Sequence, residues 1–328
     1  MELQQRSRRV GKTVILLAIL LRLQALGAVD WLLNWMLQPN TASLLTYLET
    51  GRHVRFSASM GEDIAHEAES PPPSQLPTAL PVFSPQDAAS AQMYYTCSLR
   101  PDLETLLSQP LSWYLPLPEP TVLILHTHAT ESYTRTTQEY TESSPYRTLE
   151  ESYNMLSIGD CVAQILRENG ITAIHDRTLH DYPNYNSAYS HARTATEQYL
   201  DQYPSIQLIL DLHRDASEGA NGQLRTLSTV DGVTAAQLML VMGTNAGGLT
   251  HSNWEQNLSL GLKLQTQLER QAPGITRPIS LRSQRFNQDL SPGALLVEVG
   301  AAGNTHAEAL LAAEQLAYAI VALSRGTA

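Results

Sequence analysis

The sequence has few of the residues that bind nucleic acid or build cysteine-rich sites. Its 328 residues include only two lysines, Lys12 and Lys263, and two cysteines, Cys97 and Cys161. With a net charge of -11, the chain lacks the basic surface of duplex-binding proteins, so nucleic acid is not an expected partner. Two cysteines cannot form a cysteine-rich zinc site or a disulfide scaffold. Charged residues make up only 16% of the chain, but the 43% that are hydrophobic are enough for a core.

Composition divides the chain into three parts. Residues 1–40 combine a basic flank with an apolar run that Arg22 interrupts. This pattern predicts a membrane anchor or signal segment, with an amphipathic soluble helix as the alternative. Residues 41–114 contain a proline-rich stretch, which predicts a variable linker with little buried surface. Residues 115–328 are predicted to form the folded domain.

From residue 115 onward, short apolar segments alternate with helical patterns. Strands are predicted at 121–125, 171–174, 206–212, 236–242 and 294–299, and helices at 154–168, 187–200, 254–270 and 306–323. This alternation predicts an α/β domain with a mostly parallel, twisted sheet flanked by helices. Ligands of such sheets bind beyond the carboxyl ends of the strands, so chemistry is expected there.

Three predicted strands end in residues suited to metal chemistry. His128 and Glu131 follow the first strand with H-x-x-E spacing, His213 directly follows the strand at 206–212, and Glu298 lies in the last strand. Because parallel strands end at one edge of a sheet, we expect these side chains to converge. Two histidines and a carboxylate leave one position of a tetrahedral Zn²⁺ open for water. Glu298 is then the candidate acid/base.

Each of the two histidines proposed as zinc ligands has an alternative interpretation. His126 shares a strand face with His128 and could be the ligand in its place, although only His128 has the H-x-x-E spacing. His213 could instead be a buried histidine with satisfied hydrogen bonds.

The carboxylates have alternatives too. Glu298 could be a structural group paired with Arg214 or Arg225. Asp211 and Asp215 could orient ligand histidines, or could have only a structural role as capping or ion-paired carboxylates.

Long stretches of the chain resemble a known family. The sequence LILHTHATESY ends at Tyr133, NMLSIGDCVAQILRENGI covers 154–171, LILDLHRDA covers 208–216 and PGALLVEVG covers 292–300. Together and in this order they resemble the stage II sporulation protein P family, from about Thr121 to the C-terminus.

The resemblance implies a fold and an activity. The family is similar to zinc N-acetylmuramoyl-L-alanine amidases, which have a phosphorylase/hydrolase-like α/β fold. Carried over residue by residue, this implies His128, Glu131 and His213 as zinc ligands and Glu298 as general acid/base. The implied reaction cleaves the peptidoglycan amide between N-acetylmuramic acid and L-alanine, with an associated endopeptidase activity on peptide cross-links.

The resemblance also implies a cellular setting. It implies a protein held in the membrane by its N-terminus, with the catalytic domain outside the cytoplasm, between mother cell and forespore, during engulfment. Expected partners are a lytic transglycosylase of sporulation and a membrane scaffold protein. Candidate substrate-binding residues in a wall-facing groove are Arg214, Arg225, Asn245 and Arg277.

Two other functions fit the same residues. A zinc peptidase acting on stem peptides or other substrates would use the same ligands and base. A wall-binding or scaffold module without catalysis is the third possibility, and the presence of all four proposed residues argues against it.

Overall fold

In the part of the chain that the structure describes, the strands build one large sheet and two small hairpins. The computed structural model describes residues 82–111, 113–136, 146–219 and 222–324. Within these ranges the strands are β1 (Met93–Tyr95), β2 (Val122–Leu125), β3 (Ala173–His175), β4 (Leu208–Asp215), β5 (Glu218–Gly219), β6 (Gly222–Gln223), β7 (Leu227–Val230), β8 (Val233–Ala236), β9 (Leu238–Met242), β10 (Ile279–Leu281) and β11 (Ala294–Ala301). The predicted anchor at 1–40 and much of the predicted linker lie outside the described residues.

The large sheet has the order β1-β10-β9-β11-β4-β2-β3. All neighbouring strands in it are parallel except β9 and β11, which are antiparallel. The prediction of a mostly parallel sheet is therefore confirmed. The hairpins pair β5 with β6 and β7 with β8.

Helices cover the sheet. Within the described ranges they are α1 (Pro85–Ser90), α2 (Leu103–Ser108), α3 (Met155–Glu168), α4 (Ala188–Gln202), α5 (Trp254–Gln271) and α6 (His306–Leu323). The α3 helix begins where the Asn154 side chain accepts a hydrogen bond from the backbone of Leu156, and it is followed by Gly170 at φ 80°. A capping box between Thr305 and Glu308 starts α6. These are the signals from which helix ends can be predicted.

Two strands extend further than predicted. β4 continues to Asp215, so His213 lies within the strand rather than after it, and β11 continues to Ala301. The reason is pairing: Glu298 lies opposite His213, and Ala301 opposite Asp215, on these neighbouring parallel strands. Partner strands keep the polar ends of β4 and β11 extended.

Part of the predicted linker belongs to the sheet. β1 adds an edge strand next to β10, and α2 packs on α5. The carbonyl of Leu106 in α2 accepts hydrogen bonds from the side chains of Ser259 and Lys263 in α5. The folded domain therefore begins before residue 115. Among the described residues, no helix has the length and apolar character needed to cross a membrane.

The α4 helix covers the sheet face that carries the candidate site. Its Ala192 packs in a core cluster with Leu123 of β2 and Ile209 of β4. Side chains alternate between the two faces of a strand, so Asp211 and His213 share the face of Ile209. The start of α4 thus lies over the polar end of β4.

Candidate catalytic centre

Three neighbouring strands bring the proposed site residues together. The sheet order places β4 between β11 and β2, and the three strands run in the same direction. Glu298 lies opposite His213, and the segment after β2 carries His128 and Glu131 to the same edge. The convergence expected from the strand ends is present in the structure.

His128 is buried with one nitrogen unsatisfied. Its ring centroid lies 5.3 Å from that of His213, and its other neighbours are Tyr185, stacked at 4.5 Å, and Tyr189, edge-on at 5.6 Å. Within the described chain, its Nδ1 atom has no hydrogen-bond partner. Burial, together with the nearby His213 and Arg147, lowers the pKa of His128 to about 4. The imidazole is therefore neutral at pH 7, as a metal ligand must be.

His213 lies between two carboxylates. Its Nε2 is 3.0 Å from Oδ1 of Asp211, and its Nδ1 is 3.6 Å from Oε2 of Glu131. Burial lowers the pKa of His213, but the charge and hydrogen bond of Asp211 and the charges of Glu131 and Glu298 together outweigh burial, so the net pKa is raised. Asp211 is itself held by the backbone and hydroxyl of Thr127. The pocket therefore stabilises positive charge at the position of His213.

Glu298 has the environment expected of a proton carrier. The residue is partly exposed, but its Oε2 atom is buried and has no hydrogen-bond partner within the described chain. Burial of the carboxyl group, reinforced by Glu131 and Asp215, raises its pKa to about 8 against the opposing charges of His213 and Arg214. Of the two arginines named in the alternative interpretation of Glu298, Arg225 is not its partner, because Arg225 pairs with Glu308.

The structure distinguishes His126 from His128. Both nitrogens of His126 have partners: Nδ1 lies 3.0 Å from the carbonyl of Leu212, and Nε2 lies 2.9 Å from Nε2 of His175. His175 in turn contacts Asp160 through Nδ1 at 3.0 Å. His126 is thus engaged in a buried histidine pair, whereas His128 has a nitrogen available for a ligand.

Arg147 and Tyr185 contact the site although sequence reasoning did not single them out. Arg147 lies 3.5 Å from Oε1 of Glu131 and 2.8 Å from Oδ2 of Asp181, and its guanidinium lies over the Tyr185 ring. Because Tyr185 stacks on His128, Arg147 connects to both residues of the H-x-x-E pair. Neither residue follows a strand in the sequence, so no local signal pointed to them.

Of the four predicted substrate-binding residues, Arg214 contacts the site and is already engaged there. It is buried, its backbone N–H donates to Oε2 of Glu131, and its guanidinium donates to the carbonyls of Ser132 and Tyr146. Arg225 is paired with Glu308, and Arg277 is paired with Asp215 at 2.7 Å. Asn245 follows β9 and therefore lies toward the opposite edge of the sheet. The structure does not bring these four into one groove. Asp215 forms an ion pair with Arg277, which is the second of the two roles predicted for it.

The donor chemistry of the site fits a zinc ion. Two imidazoles and a carboxylate are common zinc ligands, and the buried, unpartnered Nδ1 of His128 is a nitrogen available to a metal. Among the described residues, no three His, Cys, Asp or Glu side chains stand in an arrangement that could hold a metal ion as they are.

A protein family matches the chain over more than half of its length. The family described as Stage II sporulation protein P (SpoIIP) matches residues 104–321. A curated relative, Stage II sporulation protein P from Bacillus subtilis (strain 168), is 28% identical over 207 residues, which cover 60% of this chain and 49% of the relative. The matched part therefore spans about half the length of that relative.

Two amidases are among the solved structures that resemble the chain. One is the CwlD amidase from Clostridioides difficile in complex with the GerS lipoprotein, with a TM-score of 0.37 and 15% identity, covering 61% of this chain and 94% of that one. The other is an N-acetylmuramoyl-L-alanine amidase from Clostridium difficile 630, with a TM-score of 0.36 and 15% identity, covering 62% and 93%.

Proposed function

Because the chain belongs to the stage II sporulation protein P family, we propose that it is a peptidoglycan hydrolase of sporulation. The bond it cleaves is the amide between N-acetylmuramic acid and L-alanine. One observation carries this proposal: four side chains suited to metal-assisted amide hydrolysis meet at the carboxyl edge of β2, β4 and β11, namely His128, Glu131, His213 and Glu298.

The cofactor in this proposal is Zn²⁺, held by His128, Glu131 and His213. The donor set supports it, and so do the two carboxylates that already stabilise positive charge at His213. Binding requires the three side chains to close in from the arrangement described above. When bound, the metal supplies a Lewis acid that polarises the scissile carbonyl and lowers the pKa of water.

Residues of the chain carry out the proton transfer and orient the ligands. Glu298 takes the proton of the attacking water and returns it to the departing nitrogen of L-alanine. Asp211 holds His213 in place, and Arg147 holds Glu131. These outer contacts fix the orientation of the ligands.

The proposed setting follows from the family and from the N-terminal composition. Residues 1–40 anchor the chain in the membrane, and the catalytic domain faces the space between mother cell and forespore. A lytic transglycosylase and a membrane scaffold protein work with it there. The apolar run with its basic flank supports the anchor.

Digestion of peptidoglycan tests the proposed reaction. The full chain is incubated with purified sacculi, with zinc or with a chelator, and the released fragments are analysed by mass spectrometry. We expect glycan strands freed of stem peptides, and stem peptides beginning with L-alanine, in the zinc sample only. The Glu298→Gln variant is the matched control and should release neither.

Each alternative function has its own outcome in this experiment. Cut cross-links with the stems still attached to muramic acid would replace the amidase by an endopeptidase. Sacculi that bind the protein but stay intact under every metal condition would leave a non-catalytic wall-binding module.

A further inference from the structure

A cavity of about 310 Å³ opens directly beside the catalytic centre. Thr130, in its wall, lies between His128 and Glu131 in the sequence, and Tyr185, also in its wall, stacks on His128. The cavity therefore adjoins the site that the proposed function uses. Its volume is at the lower end for ligand pockets, which suits a single ring rather than a long chain.

The floor of the cavity carries charges that are already paired. The buried Asp181 carboxylate accepts hydrogen bonds from the backbone and hydroxyl of Thr130 and from Arg147. Arg147 also lies 3.5 Å from Glu131. An anionic ligand would have to compete with two carboxylates for this single guanidinium, so the floor disfavours a carboxylate-bearing group.

The walls of the cavity are apolar and open to solvent. Leu149, Tyr182 and Tyr185 each expose about half of their surface, at 50%, 55% and 50%. Large side chains exposed together around a cavity are typical of a ligand-binding surface. The phenol of Tyr182 combines an apolar face with a polar tip, and such a face packs against the C–H bonds of a sugar ring.

We propose that this cavity, formed by Thr130, Arg147, Leu149, Asp181, Tyr182 and Tyr185, is a subsite for a pyranose ring. This inference rests on the proposed function and adds to it the direction in which the substrate lies across the catalytic centre. An N-acetylated muramic ring is uncharged in the substrate, because its lactyl carboxyl is tied up in the scissile amide. The ring packs on Tyr182 and Leu149, its hydroxyls face the polar floor, and the anionic stem peptide leaves on the other side of the centre.

Binding of two matched ligands tests the subsite. The full chain carrying Glu298→Gln binds ligand without the need for cleavage. N-acetylmuramoyl-L-alanyl-D-isoglutamine is compared by calorimetry with D-lactoyl-L-alanyl-D-isoglutamine, which has the same peptide but no sugar. We expect Tyr182→Ala and Leu149→Ala each to weaken binding of the sugar ligand, the tyrosine change by about tenfold. Binding of the sugar-free ligand should stay the same.

Two control variants sharpen the comparison. Tyr182→Phe keeps the ring and should restore most of the affinity. Tyr94→Ala removes an equally exposed tyrosine, 63% accessible, from the edge strand β1 and should change neither ligand. Tyr185 is left intact because it contacts His128.

The outcomes separate this inference from the proposed reaction. Equal loss for both ligands would make the cavity a peptide subsite, and no loss for either would remove it from substrate binding; both overturn the inference even if sacculi are cleaved normally. Conversely, a Tyr182-dependent preference for the sugar ligand supports the inference even if sacculi stay intact and the proposed reaction fails.

Discussion

At the residue scale, Glu298 differs from the other carboxylates of the site because its Oε2 has no hydrogen-bond partner within the described chain. Asp211, by contrast, is held by Thr127 and faces His213. A free carboxylate oxygen can exchange a proton with substrate, whereas a fully bonded one is better suited to orient a neighbour.

The Glu298→Gln change tests this difference. The amide cannot carry a proton, but Glu298 is not among the proposed ligands, so we expect zinc to stay bound while hydrolysis falls by a factor of about 100 or more. Zinc content is measured by atomic absorption and hydrolysis by release of stem peptides. His213→Ala is the contrasting variant and should lose both. Full activity in Glu298→Gln would remove it from the acid/base role.

Gly159 lies against the buried histidine pair. A Cβ atom at this position would lie 2.3 Å from Nε2 of His175 and 2.6 Å from Nε2 of His126. Gly159→Ala should therefore force the pair apart and lower the free energy of unfolding by about 1–3 kcal/mol, measured by urea denaturation. Gly261→Ala is the control, because it is also in a helix and its Cβ would meet the flexible side chain of Met242 at 3.1 Å. Equal effects at both positions would contradict the argument.

At the scale of secondary-structure elements, the long helices and the apolar strands of the domain could be predicted from the sequence, whereas the short strands β1 and β10 could not. The helices predicted at 154–168 and 306–323 are observed as Met155–Glu168 and His306–Leu323. The first has an amphipathic period and both begin at a capping residue, and these are local signals. β1 and β10 have three residues each and pair across more than 180 positions. No local pattern records such a partner, which is why β1 was assigned to the linker.

The same distinction applies to the candidate site. His128, Glu131, His213 and Glu298 could be singled out because each lies at or near the end of an apolar strand. Arg147 and Tyr185 reach the site from connecting segments through tertiary contacts. The partners of Arg225 and Arg277, namely Glu308 and Asp215, are likewise distant in sequence, so these arginines could not be recognised as ion-paired.

Because α2 packs on α5, the position at which the folded domain begins can be tested by comparing two fragments. A fragment of residues 115–328 would lose β1 and the buried Leu106 and Leu107, and would expose the edge of β10. We expect it to unfold at a lower temperature than a fragment of 82–328, and to aggregate through the exposed edge. Thermal unfolding followed by circular dichroism and by light scattering measures both. Identical melting of the two fragments would show that the region before 115 is a linker after all.

The burial of Lys263 in this packing makes the stability of the fold depend on pH. Its ammonium is buried and donates to Leu106 and Ser259, and burial lowers its pKa to about 8. Below pH 8 the lysine is protonated in both states, and the cost of burying its charge is fully present. Between pH 8 and the ordinary lysine pKa the unfolded chain binds more protons, so stability rises with pH.

Lys263→Met should remove this dependence. Relative to the variant, the unmodified chain should gain about 3 kcal/mol of stability between pH 7.5 and 10.5, measured by denaturant unfolding at each pH. Comparing the two chains at each pH cancels the contributions of other titrating groups. A constant difference across this range would contradict the burial of the charged amine.

At the scale of the whole molecule, a metal bound by β4 and by the segment after β2 would join distant parts of the chain. His128 and His213 are separated by a long stretch of sequence that includes β3, α3 and α4. Any ligand that binds the folded state alone stabilises it by mass action, by about 2.7 kcal/mol at 100 times its dissociation constant. Zinc should therefore act on global unfolding as well as on activity.

Thermal unfolding with and without zinc tests this coupling. We expect zinc to raise the melting temperature of the full chain and a chelator to reverse the rise. The rise should shrink as pH falls, because an imidazole ligand must be neutral and metal binding releases its proton. His213→Ala should abolish the rise, whereas Glu298→Gln should keep it, since the glutamate is proposed to move protons and not to hold the metal. A rise that survives His213→Ala would locate the bound zinc elsewhere, and one lost in Glu298→Gln would turn the proposed base into a ligand.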